Sequence, residues 1–345
     1  MKKITLTPAQ EERAQELHYQ SLFIDCLCGN LVNPEPPERD GVPYLERVLQ
    51  SGANVQSITL SSPAASFEEV LKDMYAYYNL FKYHPNKVMQ IKTVDDIETA
   101  KNTGRIGVIF SLQNSIAMGS DFYKWSIMAE LGLKICQLTY MEPNLYGSGC
   151  LDKANGGLTY WGEQAVREMN RQGIVVDLSH VGEKTSLEAI DYSTKPCIFS
   201  HSNSLTVCPT SNRNLTDEMI KNCAAKGGVV CLNAHGFVCH SEVGVQGTLE
   251  DYMVHFEYLG NLIGPDHMGI GTDIYEYYTK QYWECKTKLL YNSPWFFETV
   301  FNRDVQRVDQ YINITRGLVA LGFSDDDIRK ILGGSLMRLF REVWK

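Results

Sequence analysis

One segment of the chain, from Ile174 to Leu205, restricts the possible folds more than any other. It contains two short apolar runs, IVVDLSH at 174–180 and CIFSH at 197–201, which are too short for helices and rich in residues that favour strands. The residues between them, from Glu183 to Tyr192, have the spacing of one amphipathic helix. A strand, a helix and a second strand in this order predict a crossover unit whose two strands are parallel.

Each of these two strands ends in Ser-His, so His180 and His201 are predicted to emerge at the same edge of a parallel sheet. That edge is where α/β sheets and barrels bind ligands. A single histidine at a strand end is more often a packing residue. Two histidines at matching ends of neighbouring strands predict half of a metal site, because imidazole is a frequent zinc ligand.

Further strand and helix patterns alternate along the rest of the chain. Strands are predicted at 22–28, 54–60, 106–113, 134–140, 228–233 and 268–273. Helices are predicted at 8–19, 67–83, 94–102, 123–131, 161–172, 217–225, 249–263, 304–321 and 324–344, the last opened by a capping box of Ser324 with Asp327. Eight strands alternating with helices predict a (β/α)₈ barrel, formed as a single domain by residues 1–345, with extra C-terminal helices.

Composition narrows the class of protein. A net charge of −9 over 345 residues argues against a nucleic-acid surface. The ten cysteines are spread through apolar runs and are expected to be reduced. The N-terminus has no apolar signal region and no run of 18 apolar residues occurs, so a cytoplasmic protein without membrane contact is expected.

Polar residues stand at the ends of several predicted strands, namely Gln113, Tyr140, Asn233 and Asp273. In a barrel they would share one mouth with the two histidines, where an aspartate can accept a proton from a metal-activated water. Asp273 could instead cap the following helix, and Gln113 and Asn233 could satisfy loop backbone groups.

Loop residues supply further candidates. Arg213 lies in the loop after the His201 strand, and its guanidinium suits a substrate carboxylate, although a loop arginine is often only solvated. His235 and His240 lack strand or helix spacing, which favours solvated or packed side chains over metal binding. The aromatic residues at 275–283 suggest a pocket wall or a subunit contact.

Several longer motifs resemble the membrane dipeptidase (renal dipeptidase) family, peptidase family M19, of the amidohydrolase-like barrels. They are GLTYWG at 157–162, VREMNR at 166–171, VDLSHV at 176–181, IFSHSN at 198–203, RNLTD at 213–217, DHMGIG at 266–271 and IRKILGG at 328–334. The resemblance implies a (β/α)₈ barrel, often dimeric, that hydrolyses a dipeptide with a zinc-activated water.

The resemblance also implies roles for individual residues. His180 and His201 match the two histidines that bind the family's second zinc ion, Asp273 matches the aspartate that transfers the proton, and Arg213 matches the arginine that binds the substrate carboxylate.

The chain departs from the family pattern at the other ligands. Leu27 and Gly29 stand where a His-x-Asp pair binds the first zinc ion. Gln113 replaces the bridging carboxylate, and Tyr140 replaces the histidine that contacts the peptide bond. We therefore expect one divalent cation, zinc or another metal, rather than two, with Gln113 as a weak third ligand. Ligation by Cys26 or Cys28 would need a bulge or a register shift, because strand alternation places them on the opposite face.

These observations predict a metal-dependent hydrolase that cleaves a dipeptide or N-acyl amino acid, with Tyr140 or Asn233 donating a hydrogen bond to the developing oxyanion. The loss of three ligands also favours an alternative, a catalytically silent barrel that binds an amino-acid-like molecule. A barrel with different chemistry on a modified amino acid remains a third possibility.

Overall fold

A computed structural model of the chain describes residues 3–32, 38–242, 245–276 and 300–344. The strands found in these residues form one sheet in which every pairing is parallel. They are β1 Ile24–Cys28, β2 Val55–Thr59, β3 Val88–Gln90, β4 Ile106–Leu112, β5 Leu133–Gln137, β6 Val175–Asp177, β7 Ile198–Phe199, β8 Val229–Leu232 and β9 Met268–Ile270.

Eight of these strands close into a barrel. Their order is β2, β1, β9, β8, β7, β6, β5 and β4, and β2 pairs with β4 to complete the ring. The short strand β3, which the sequence pattern did not predict, lies outside the ring beside β4. The (β/α)₈ barrel predicted from the sequence is therefore confirmed.

Helices surround the barrel. They are α1 Pro8–Gln20, α2 Tyr44–Gln50, α3 Phe67–Tyr83, α4 Val94–Thr103, α5 Tyr123–Glu130, α6 Tyr160–Gln172, α7 Glu183–Tyr192, α8 Asp217–Ala225, α9 Gly236–Cys239, α10 Leu249–Ile263, α11 Ile312–Ala320, α12 Asp325–Arg329 and α13 Ser335–Val343. Short 3₁₀ turns occupy Ile116–Met118, Pro265–His267 and Val308–Gln310. Within the described residues, no helix combines the length and apolar character needed to cross a bilayer.

The C-terminal helices differ from the predicted ones. Helix α11 begins only at Ile312, and a π-helical segment, Lys330–Gly334, separates α12 from α13. A β-carbon on Gly333 would lie 2.5 Å from the carbonyl oxygen of Leu22, so this turn passes unusually close to the start of β1. The predicted capping box is incomplete, since Asp327 accepts the Ser324 hydroxyl proton rather than a backbone proton.

Alternation along the strands separates two apolar clusters. The cluster inside the barrel includes Ile24, Cys26, Val55, Ile109, Ile135, Val175, Ile198, Val229 and Cys231. Leu336 and Phe340 of α13 belong to the same cluster and close the N-terminal end of the barrel. The opposite end is left for polar side chains, as in other barrels of this kind.

The register of β1 shifts between Asp25 and Cys28, where the pairing with β2 is irregular. Cys28 consequently packs in the outer cluster, with its sulfur 3.6 Å from the Ser57 carbonyl oxygen. Cys26 lies in the inner cluster, so the prediction that both cysteines occupy the opposite face was wrong for Cys26. The irregularity that thiol ligation required is present, yet it carries Cys28 away from the barrel interior.

Gly271 allows a close approach between the ends of two strands. A β-carbon at this position would lie 1.8 Å from the carbonyl oxygen of Ser200, directly after β7. Only glycine therefore fits where the segment after β9 passes the residue that precedes His201.

Candidate active site

The two strand-terminal histidines lie together at the C-terminal mouth of the barrel. Nε2 of His180 is 2.9 Å from Nε2 of His201, and both side chains are buried. The ring of Tyr140 stacks on His180 with a centroid separation of 4.2 Å. Three of the predicted site residues are thus brought into contact.

Two of the predicted site residues have an unusual backbone conformation. His180 has φ of 62° and Asp273 has φ of 57°, in the left-handed region that residues other than glycine rarely adopt. The conformation of each is stabilised by backbone hydrogen bonds: Cys150 donates to the His180 carbonyl at 2.7 Å, and Asp273 donates to the Leu27 carbonyl at 2.8 Å. Strain of this kind is often retained at functional sites.

His201 is buried in a positively biased environment. Burial lowers the pKa of this imidazole well below its usual range, and the charges of Arg213 and His235 lower it further. The ring is therefore neutral at neutral pH and keeps one nitrogen lone pair.

Arg213 is held beneath the mouth rather than solvated. Its side chain donates to the Ser202 hydroxyl at 2.6 Å and to the His201 carbonyl at 2.7 Å, and the residue is only 6% exposed. Among the described residues, no carboxylate forms an ion pair with this guanidinium. Burial lowers the pKa of Arg213, although an arginine remains charged at neutral pH.

Asp273 forms a second polar group beside the histidines. Its Oδ2 accepts a hydrogen bond from Nδ2 of Asn233 at 3.1 Å, and Nε2 of His235 lies 3.5 Å from the same oxygen. His235 Nε2 also donates to the Asp273 carbonyl oxygen at 2.6 Å. Asn233 Nδ2 reaches the His201 carbonyl at 3.4 Å, which joins the two groups.

Gln113 has different neighbours from those expected of a metal ligand. Its Nε2 donates to the Tyr275 hydroxyl at 2.9 Å, and its backbone carbonyl accepts from Gln137 at 2.5 Å. The amide is thus oriented by Tyr275, and its role as a third ligand stays a prediction.

A cavity of about 210 Å³ opens beside His180 and Arg213. Cys150, Asn155 and Glu183 also line it. A larger depression of about 900 Å³ lies near α1 and contains none of the predicted site residues. The smaller cavity is the candidate ligand site, because His180 and the buried guanidinium of Arg213 line it.

The model of the membrane dipeptidase family, peptidase family M19, matches residues 19–280. This chain belongs to that family. The dipeptidase tcpJ of Claviceps purpurea (strain 20.1) is 25% identical in an alignment that covers 98% of this chain and 77% of that protein.

Solved structures share the barrel fold of this chain. An amidohydrolase from Pseudomonas aeruginosa is 30% identical with a TM-score of 0.86, covering 96% of this chain and 99% of that one. A metallo peptidase from Rhodobacter sphaeroides, solved with a phosphinate mimic of the dipeptide L-Ala-D-Ala, shares the fold at 19% identity and a TM-score of 0.80, over 94% of this chain and 100% of that one.

The membrane dipeptidase family is metal-dependent, and the two imidazoles at the mouth have the nitrogen donors that could hold a cation. Two nitrogens that bind zinc tetrahedrally at 2.0–2.1 Å stand about 3.3 Å apart. The observed 2.9 Å between the two Nε2 atoms therefore needs only a small opening.

The two positions that match the ligands of the family's first cation carry no donor side chain. Leu27 is apolar and buried, and a β-carbon on Gly29 would lie 2.8 Å from the Ile274 carbonyl oxygen, so no ligating side chain fits there without a backbone shift. Within the described parts of the chain, no three His, Cys, Asp or Glu side chains converge on one point. The site thus offers two nitrogen ligands, and neither Cys26 nor Cys28 completes it.

Some residues of the site were missed by sequence reasoning. His235, predicted to be a solvated or packed side chain, contacts Asp273 because the chain turns into α9 directly after it. Its position two residues after Asn233 was the available signal. Tyr275 touches Gln113, whereas the remaining aromatic residues of the 275–283 segment lie outside the described residues.

Proposed function

We propose that this protein hydrolyses the amide bond of a dipeptide or an N-acyl amino acid whose free carboxylate is bound by Arg213. The observation that carries the proposal is a buried guanidinium without a carboxylate partner among the described residues, next to two converging imidazoles. The hydrogen bonds of this guanidinium to Ser202 and His201 go to neutral oxygens, so an anionic ligand would stabilise its buried charge. Family membership supports the same reaction class.

His180 and His201 would hold one divalent cation through their Nε2 atoms. The chemistry that such a cation supplies when bound is polarisation of an oxygen atom, which eases attack on an amide. Asp273, oriented by Asn233, accepts the proton of the attacking water and returns it to the leaving amine.

Tyr140 is favoured over Asn233 as the donor to the developing oxyanion. Both protons of Asn233 Nδ2 are directed at acceptors, the Asp273 carboxylate and the His201 carbonyl. The ring of Tyr140 stacks on His180, which places this residue beside the two imidazoles.

The test compares substrates that have a free C-terminal carboxylate with substrates whose carboxylate is blocked as an amide. Purified protein with added zinc or manganese is assayed on dipeptides, N-acyl amino acids and their C-terminal amides. We expect kcat/KM for the free acids to exceed that for the amides by roughly 100-fold, the scale of a buried charge pair. Arg213→Met should abolish this preference, while Arg167→Met, at an exposed arginine, should preserve it.

Two results would end the proposal. One is the absence of hydrolysis across the panel with either metal. The other is equal turnover of acids and amides by the wild-type protein.

A second candidate function is supported by Leu27 and Gly29, which occupy the positions of the family's first-cation ligands and offer no donor atom. It is a catalytically silent barrel that binds an amino-acid-like molecule through Arg213. Calorimetric titration with amino acids separates the two functions. Under the silent function His201→Ala leaves affinity nearly unchanged, and elemental analysis finds no stoichiometric metal.

A further inference from the structure

We propose that Ser200 is a positioning residue. Anchored by Asp177, its hydroxyl holds His201 in the tautomer that carries the proton on Nδ1 and presents the Nε2 lone pair to the site. This inference deepens the proposed function, on which its meaning for cation binding rests, but the tautomer itself can be measured without turnover.

The argument begins at Asp177, the last residue of β6. Its Oδ1 accepts the backbone N–H groups of Ser179 and Ser200, each at 3.0 Å. Its Oδ2 accepts the hydroxyl proton of Ser200 at 2.6 Å. The carboxylate is 2% exposed, so these three hydrogen bonds determine its orientation.

The Ser200 hydroxyl has a single proton. Because that proton is donated to Asp177, the oxygen can only accept from Nδ1 of His201, which lies 2.7 Å away. Nδ1 must therefore carry the proton of the neutral ring. Nε2 is left as a lone pair and faces Nε2 of His180.

The position of His201 is held from the backbone side as well. Its backbone N–H donates to the Ser179 hydroxyl at 3.1 Å, and that hydroxyl also accepts from Ser202 at 3.3 Å. Ser202 in turn accepts from Arg213. Orientation of a ligating histidine through its second nitrogen typically changes metal affinity 10- to 100-fold, and here a hydroxyl lies between the histidine and the carboxylate.

Asp177→Asn should invert the tautomer. Two backbone N–H groups point at the Oδ1 position, so the amide oxygen must occupy it, and the NH₂ group then faces Ser200. The Ser200 oxygen would accept from this NH₂ group and donate to Nδ1 of His201. The imidazole proton would move to Nε2, which then has no lone pair for a cation.

The experiment records long-range ¹H–¹⁵N spectra of the metal-free, full-length protein labelled with ¹⁵N-histidine, with His201→Gln used to assign the signals. Wild type and Ser200→Thr, which keeps the hydroxyl, should show protonated Nδ1 on His201. Asp177→Asn should show protonated Nε2, and Ser200→Ala should show a mixture of both tautomers.

Cobalt(II) titration, followed by its visible absorption, gives a second readout. Affinity should fall roughly 10- to 100-fold in Ser200→Ala and at least as far in Asp177→Asn, and Ser200→Thr should restore it. Ser51→Ala removes a buried hydroxyl that donates at 2.7 Å to the Val48 carbonyl far from the mouth, and should change neither readout.

A wild-type His201 protonated on Nε2, or an unchanged tautomer in Asp177→Asn, would overturn the assignment. If Asp177→Asn does not fold, a single Nδ1–H tautomer in Ser200→Ala overturns it instead. If the tautomers follow the expected pattern but no substrate is hydrolysed, the proposed function fails and the role of Ser200 stands.

Discussion

At the level of single residues, two different requirements apply to Asp273: its backbone conformation and the chemistry of its carboxylate. Its φ of 57° demands a residue that tolerates the left-handed region, which asparagine does as well as aspartate. Its carboxylate, oriented by Asn233, is the group to which the proposed hydrolysis assigns proton transfer. A substitution that keeps the first property and removes the second isolates the chemistry.

Asp273→Asn should therefore lower kcat by about 10²- to 10⁴-fold, the usual contribution of a general base, with a smaller change in KM. The free energy of unfolding should change by less than about 1 kcal/mol. Steady-state kinetics on the best substrate and urea unfolding measure the two effects. Asp266→Asn, at an exposed aspartate paired with Lys330, is the control, and undiminished kcat in Asp273→Asn would contradict the role.

Residues at strand ends could be predicted from the sequence, whereas contacts made by loops could not. His180, His201 and Asp273 were predictable because strand ends share one rim of a parallel barrel. The contact of His235 with Asp273 depends on a turn into α9 that carries no periodic signal. The burial of Arg213 depends on the path of the 205–216 loop, which sequence spacing does not specify.

At the scale of elements, Gly271 controls how closely the chain after β9 approaches the chain after β7. Any side chain there would meet the Ser200 carbonyl, whose residue also contacts Asp177 and His201. Packing of these two segments and orientation of the histidine are therefore linked through one glycine.

Gly271→Ala should destabilise the fold by roughly 3 kcal/mol or more, because the clash involves backbone rather than a flexible side chain. Urea unfolding measures this loss. Gly156→Ala is the matched control, since its added carbon would have its nearest contact at 3.6 Å with the Ser148 hydroxyl and should have little effect. Equal stability of the two variants would show that β9 can shift freely.

Elements with strong periodicity were predictable to within a residue or two, as α7 and α10 show. Elements created by tertiary contacts were not. The strand β3 has only three residues and depends on β4 for its hydrogen bonds, and the π-helical segment depends on the approach of Gly333 to Leu22. Neither contact leaves a pattern in the local sequence.

At the scale of the whole molecule, stability should depend on buried histidines. His18 links α1 to the rest of the fold through the Thr315 hydroxyl and the Ser51 carbonyl. Burial, opposed by the hydrogen bond to Ser51, lowers its pKa from 6.5 to about 4. Because the folded pKa is the lower one, the stability contribution is complete above pH 6.5 and is lost as the pH falls towards 4.

Between pH 7.5 and pH 5, this single group should reduce the free energy of unfolding by about 2 kcal/mol. His18→Gln keeps a donor and an acceptor and should remove that part of the pH dependence, whatever its effect on absolute stability. Urea unfolding at both pH values measures the difference, with His84→Gln at an exposed histidine as the control. The same slope in wild type and His18→Gln would contradict the assignment.

Other buried groups also change the free energy of unfolding in this pH range. The test therefore compares the pH dependence of wild type with that of His18→Gln. His255 has its pKa lowered to about 4 by burial and adds to the loss on acidification. Asp25 has its pKa raised to about 6 by burial and acts in the opposite direction. Both are present in wild type and in His18→Gln, so their contributions cancel.

The ring closure of the barrel joins Asp25 on β1 to Ile270 on β9. On a ribosome, the first strand is therefore made long before the partner that covers its second edge emerges. Until then β1 exposes unpaired backbone groups that could associate with other nascent chains. The order of the strands in the barrel therefore leaves one edge of β1 unpaired until nearly the whole ring has been made.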